Sequence, residues 1–363
     1  MDNSTAPVIG VDLAKDVFQM HWVDRGTGEV FNKKLSRKRF HEFFINREPC
    51  LVGMEACGGA HYWARALSAL GHEVRLMPGK DAKAFNPGNK DDASDARAIW
   101  AATKAGTTRK VAVKTEEQQA VLAMHRIREQ KIRQRVATAN QIRGLLSEFG
   151  LVVARGQKAL MDWIPSALES LSAKVPKMLV STIEQLRQDI RRLNEQISGI
   201  EKELKLWSKG NEACCRLQEI DGVGLITATA VIANVGDASE FKSGRQMSAF
   251  FGLVPRHTGS GGKIKNLGMS KRGDGYIRRL VIHCARAVVT LMKEPPKVVE
   301  RLKKKHHTNV VIGAMANRIL RTMWSMLVHG TRYERNHISV LCGNCPQGGS
   351  SIVNALVGNS LGR

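Results

Sequence analysis

Eight apolar residues, Ile183, Leu186, Ile190, Leu193, Ile197, Ile200, Leu204 and Trp207, follow one another at alternating steps of three and four. That is a heptad seam of more than three repeats, flanked by charged residues, and a helix carrying it needs a partner helix. A coiled coil follows, closed either by another helix of the same chain or by a second protomer. The spacing does not choose between them. The intrachain candidate is a long basic helix over 115–149, with Arg126, Arg128, Lys131, Arg133, Arg135 and Arg143 set among Val121, Ile132, Val136, Ile142, Leu145 and Leu146. Its basic face is either a solvated surface or a groove for a phosphate backbone. Pro165 and Pro176 bound the less regular stretch between the two helices.

The 363 residues suffice for two or three domains, and their net charge of +23 constrains the partners. Such a field attracts polyanions, so salt-sensitive binding to DNA or RNA is expected. No apolar run is long enough to span a bilayer and no N-terminal segment resembles a signal peptide, which points to the cytoplasm and away from membranes. The seven cysteines are scattered, odd in number and include the neighbours Cys214 and Cys215. That pattern suits a reducing compartment rather than a disulfide framework. Cys342 and Cys345 form a lone C-x-x-C with no second pair at zinc spacing. Three Tyr, six Trp and ten Phe are few for a protein that binds single strands chiefly by base stacking.

The first part of the chain predicts strands over 8–15, 17–23, 29–35, 50–55 and 73–77, with helices over 37–46 and 62–70 and a hairpin turn at 26–28. This order suits a mixed sheet with helices packed on it. Asp12 and Glu55 fall at or near strand ends, where a central sheet presents its acids to ligand. A further helix follows Asp91, and three-residue spacing puts Asp92 and Asp95 on one face. Alone, that pair could simply complement the helix dipole. Together with Asp12 and Glu55, four carboxylates from three distant segments favour a site for a hard divalent cation, Mg2+ or Mn2+.

Beyond Leu217, Ile220-Asp-Gly-Val-Gly224 and a small-residue helix over 226–234 suggest a helix-hairpin-helix. Gly222 and Gly224 would there let backbone N–H groups approach a phosphate; the alternative is a plain glycine turn between packed helices. Next come Phe251-Gly-Leu-Val-Pro-Arg256, Gly259-Ser-Gly-Gly-Lys263, Ser270-Lys-Arg-Gly-Asp274 and Tyr276-Ile-Arg-Arg279. Arg256, Lys263, Lys265, Lys271, Arg272, Arg278 and Arg279 supply phosphate-binding charge around Ser260. A hydroxyl is a weak nucleophile unless a base or metal activates it. His257 is near but has no orienting acid, so either a metal held elsewhere activates Ser260 or a flexible basic loop merely grips nucleic acid. Helices are expected over 281–292 and 310–328, and a loose tail beyond Tyr333.

These segments together resemble the transposases of the insertion-sequence "one-ten" family, a group of bridge-RNA-guided recombinases. The matching stretches are 10–15 (Gly-Val-Asp-Leu-Ala-Lys), 53–58 (Gly-Met-Glu-Ala-Cys-Gly), 90–96 (Lys-Asp-Asp-Ala-Ser-Asp-Ala), 252–256, 260–263 and 270–274. The resemblance implies an α/β plus all-α chain: an RNase H-like (RuvC-like) metal-binding domain over 1–113, coiled-coil helices over 114–212, a mainly helical serine domain over 213–335 and a tail over 336–363. It implies an acidic tetrad on Asp12, Glu55, Asp92 and Asp95, with Asp91 off the pattern. It puts the nucleophile on Ser260; many members carry two serines before the Gly-Gly, and here the first is Gly259. Expected partners are donor and target DNA, a structured non-coding guide RNA and further copies of the chain, as a dimer or tetramer. The nucleic-acid contacts would include Arg126, Lys131 and Arg135 along with the glycines and basic residues named above. Two other readings compete: a RuvC-like junction nuclease in which water attacks and Ser260 only binds, and a packaging protein without catalysis.

Overall fold

The computed structural model describes residues 7–86, 91–260 and 263–335. The expected tail, with Cys342 and Cys345, lies outside them. The chain divides into two compact units, Met1–Glu117 and Gln118–Arg363.

The first unit follows the expected order of elements with one short helix, α3, added: β1 (Val8–Leu13), β2 (Val17–Val23), β3 (Val30–Ser36), α1 (Arg37–Ile45), β4 (Leu51–Glu55), α2 (Ala60–Ala69), β5 (Glu73–Met77), α3 (Gly79–Lys83) and α4 (Asp92–Ala105). One sheet runs β3-β2-β1-β4-β5. β2 is antiparallel to both its neighbours, whereas β4 is parallel to β1 and to β5. Side chains alternate between the faces of a strand, and the two faces here differ sharply. Ile9, Val11, Phe18, Met20, Val52 and Met54 are buried against Phe40 and Phe44 of α1 and Trp63, Ala64 and Leu67 of α2. On the other face β1 and β4 present Gly10 and Gly53 to α4. A Cβ on Gly10 would stand 2.4 Å from Ala96 O and from Trp100 N, and one on Gly53 would stand 1.8 Å from Thr103 Oγ1. The helix therefore lies almost directly on the backbone of the sheet.

The second unit contains α5 (Glu116–Glu148, which starts just before the boundary), α6 (Gln157–Ser166), α7 (Leu168–Lys174), α8 (Lys177–Lys209), α9 (Glu212–Leu217), α10 (Leu225–Val235) and α11 (Gly244–Phe250). A hairpin, β6 (Pro255–Ser260) and β7 (Lys263–Met269), precedes α12 (Gly275–Thr290), α13 (Lys297–Lys303) and α14 (Thr308–His329). The heptad helix is α8, and its partner is α5 of the same chain. Arg128 reaches Glu201, Lys131 reaches Gln196 and Arg135 reaches Asn194, an antiparallel order. Ile183, Ile190, Ile197 and Leu204, one from each repeat, are buried. Near its start α5 contributes Val121 to a cluster with Leu204 and Ala233. Further along, Ala139, Ile142 and Leu146 join Ile183 and Ile190 and the buried residues of α6. Of the two prolines expected to bound the stretch between the long helices, Pro176 is the N-cap of α8 and Pro165 sits inside the last turn of α6. The main core gathers α10, α12 and α14 around small residues such as Ala228, Ala230 and Ala285.

Candidate active site

Two of the expected acids leave the sheet side by side. The registered pair Val11–Met54 is followed, one residue further along each strand, by Asp12 and Glu55. Each lies two residues past a glycine that faces α4, so both carboxylates project onto the α4 face. The same transverse row continues through Gln19, opposite Asp12, to Lys34, opposite Gln19. Burial first, then the charges of Glu55 and Asp12, raise the Cys57 thiol above its ordinary range, so both acids act on one thiol.

The other two acids occupy the first turn of α4. Asp91 fixes where that turn begins: it is the N-cap, accepting from the backbone N–H groups of Ala93 and Ser94, while Ser94 Oγ accepts from the Asp91 N–H. These bonds hold its carboxyl below the ordinary range. Asp92 and Asp95 are left to other work. Asp92 meets the sheet row through Lys34, 3.8 Å away, with both side chains about two-thirds exposed (66 and 70 %). Such a pair is worth no more than about 1 kcal/mol and is readily exchanged. Asp95 accepts a 2.8 Å bond from the Asn86 amide, which also donates to Ser94.

The donor set fits a hard divalent cation in its chemistry, since carboxylate and carbonyl oxygens are the ligands such ions take. Two features of the structure support the fit. Gln19 is 4 % exposed, and its Oε1, beside Asp12 in the row, has no hydrogen-bond partner; a buried orphan acceptor next to carboxylates invites a cation or a donor. Gly79, the first residue of α3, leaves a space that Glu55 fills: a Cβ there would stand 2.0 Å from Glu55 Oε1. Among the described residues, no three His, Cys, Asp or Glu side chains are grouped closely enough to hold a metal ion. Asp12 and Glu55 are brought together, while Asp92 and Asp95 are engaged by Lys34 and Asn86. Sequence reasoning named the acids but missed Gln19, Lys34, Asn86, Cys57 and Gly79; the last alone carried a signal, a glycine opening a helix.

Ser260 belongs to the second unit. The segment, for which a flexible basic loop is one of the two readings, is a β-hairpin in which Ser260 and Lys263 form the last registered pair. Its base is locked. Gly252 (φ 73°) and Gly273 (φ 81°) let two backbone segments meet closely enough that a Cβ on Gly252 would stand 2.0 Å from Arg272 O. Lys271 N–H donates to Gly252 O, and Arg278 donates to Phe251 O and Arg272 O. Asp274 caps α12 through the N–H groups of Tyr276 and Ile277. The motifs around Gly252 and Gly273 thus build one platform for the hairpin.

The basic residues divide by what they already hold. Arg278 serves the platform and Arg279 pairs with Glu129. Lys131 and Arg135 tie α5 to α8. Arg126, Arg256, Lys271 and Arg272 are exposed. Gly222 (φ 79°) turns the chain where a Cβ would stand 2.6 Å from Cys284 O on α12, whereas Gly224 has open space around its α-carbon. Packing against α12 is therefore sufficient reason for glycine at 222.

No helix among the described residues is long and apolar enough to cross a membrane. Family models match two parts of the chain. The DEDD-type IS110 transposase model covers residues 9–150, which include all four acids, and a model described as the transposase IS116/IS110/IS902 family covers residues 214–300, which include Ser260. The protein is a transposase, an enzyme that cleaves and rejoins DNA. Over 331 residues it is 42 % identical to a probable family 20 transposase of Pseudomonas aeruginosa, covering 90 % of this chain and 98 % of that one. It is 37 % identical to the transposase for insertion sequence element IS1111A of Coxiella burnetii (90 and 91 % covered) and 36 % identical to that for IS1328 of Yersinia enterocolitica (90 and 98 %). The chain belongs to the IS110/IS116/IS902 family of insertion-sequence transposases.

Proposed function

We propose that this transposase works by transesterification through Ser260, assisted by a divalent cation, Mg2+ or Mn2+, held by Asp12, Glu55, Asp92 and Asp95. What carries the reading is the placement of Asp12 and Glu55 at neighbouring strand ends on the α4 face. The strand order β3-β2-β1-β4-β5 supports an RNase H-like, RuvC-like assignment for the first unit. The bound cation would polarise the scissile phosphate and offset the charge that develops on it. Ser260 Oγ attacks phosphorus: the Oγ–P bond forms, the bond from phosphorus to O3′ breaks, Oγ gives up its proton and the departing O3′ takes one up. A phosphoserine and a free 3′-hydroxyl result. Attack by a 3′-hydroxyl on the phosphoserine reverses the step and restores the serine, so the number of phosphoester bonds is conserved and no ATP is needed.

In this reading Arg256, Lys271 and Arg272, exposed around the hairpin base, hold the DNA backbone. Donor and target DNA are chosen by base pairing to a structured non-coding RNA, and the +23 charge supports polyanionic partners of both kinds. The α5–α8 pair acts as the coiled-coil region, the segment from 213 as a helix-hairpin-helix-containing serine domain, and the working form is a dimer or tetramer. The deciding experiment traps the covalent adduct with labelled DNA and Mg2+ and maps it by mass spectrometry. Ser260→Ala should abolish both adduct and strand cleavage. Undiminished nicking by that variant would replace the serine mechanism with attack by water.

A further inference from the structure

A cavity of about 210 Å3 opens between α5 and the start of α6, lined by Arg135, Val136, Asn140, Arg143 and Gln157 among others. No carboxylate is among the described residues that line it. Arg135 donates to Asn194 Oδ1, and Arg143 to the carbonyls of Ala139 and Gly156. The Nε of each arginine is buried without a hydrogen-bond partner. Among the described residues, these two guanidinium charges, half-buried and eight residues apart on one helix face, are met only by neutral oxygens. Neutral dipoles orient such groups but leave their formal charge uncompensated, and partly buried charge without a counter-ion is costly. The volume lies below the ~300–1,000 Å3 typical of sites for drug-sized ligands, which suits a small anionic group better than a whole nucleotide cofactor.

We propose that this cavity seats one phosphodiester group of the DNA on which the enzyme acts, gripped by Arg135 and Arg143. The assignment rests on the DNA-handling reading of the chain and adds a specific anchor far in sequence from both the acids and Ser260. Guanidinium pairs match phosphate geometry with parallel N–H donors, so the site fixes the strand's register rather than its sequence.

The test leaves the arginines in place, because both also brace helices. In the full chain, Asn140→Glu puts a carboxylate in the cavity, and Asn140→Gln keeps it neutral. Ala137→Glu, exposed on the same helix outside the lining, controls for charge alone. Binding to labelled duplex DNA and to an RNA hairpin is followed by anisotropy across a salt series, and circular dichroism confirms that each variant is folded. Asn140→Glu should weaken DNA binding about tenfold and flatten the log–log salt slope by about one, while Asn140→Gln and Ala137→Glu change affinity less than about threefold. Equal losses from the two glutamates, no loss from Asn140→Glu, or a loss confined to RNA would overturn the proposal. Failure of the wild-type chain to bind either nucleic acid would instead strike at the functional reading beneath it.

Discussion

Gly79 and Glu55 are fitted to each other: the α-carbon of Gly79 faces the Glu55 carboxylate so closely that an added methyl group would overlap Oε1. The atom in the way is the end of a flexible side chain, and Gly79 is not among the glycines held at positive φ. Gly79→Ala should therefore fold normally, with α3 if anything favoured by helix propensity. The carboxylate must move, and if Glu55 holds the cation as proposed, a displacement near 1 Å can cost on the order of a hundredfold. Cleavage assays beside thermal melts check this; unchanged cleavage would show that Glu55 need not stand where it does.

Gly10 behaves differently. There a Cβ would meet the backbone of α4 at Ala96 and Trp100, which cannot swing aside. Overpacking of this kind costs roughly 1–3 kcal/mol. Gly10→Ala should lower the unfolding midpoint and, by lifting α4, disturb Asp92 and Asp95 as well. Denaturant unfolding reads the first effect; an unshifted midpoint would mean the helix is not seated as described.

His125 gives the second unit a pH dependence. It is buried on α5 between Tyr276 OH, 2.9 Å away, and Thr229 Oγ1, 3.0 Å away. Burial, helped by the Arg128 charge, pushes its pKa down from 6.5 to about 4. The folded state then binds fewer protons than the unfolded chain between those values, so the contribution is complete above about pH 6.5 and is lost as pH falls towards 4. The loss could reach ~3 kcal/mol. Urea midpoints at pH 7.5 and 5 should differ less in His125→Gln than in the wild type; an equal drop in both would contradict this.

Leu204 is fully buried where α5, α8 and α10 meet. Leu204→Ala should cost about 2–5 kcal/mol through lost burial and a residual cavity. Leu206, two residues on and 61 % exposed, should tolerate alanine within about 0.5 kcal/mol. Urea unfolding separates the pair, and similar losses would mean that the heptad seam does not mark the buried side of α8.

Much of this was legible along the chain. The order of elements in the first unit and the seam of α8 follow from periodicity, because burial on one side repeats with the pitch of the element. The partner of α8 was open, since a seam states that it must be covered and not by what. The hairpin β6–β7 was missed because His257-Thr-Gly-Ser260 and the lysine-rich return strand lack apolar alternation; backbone pairing over the Gly252–Gly273 platform positions it instead. Asp12 and Glu55 could be named from strand ends. Their common face could not, because it depends on Gly10 and Gly53 meeting a helix that arrives 50 to 90 residues later.

The cap at Asp91 bears on how this acidic motif should be dissected. Asparagine caps a helix about as well as aspartate, so Asp91→Asn should be nearly silent, whereas Asp91→Ala frays the turn that carries Asp92 and Asp95. An alanine scan scored by activity alone would count three indispensable carboxylates here. Amide replacements distinguish the one that serves as scaffolding from the two whose negative charge is proposed to hold the cation.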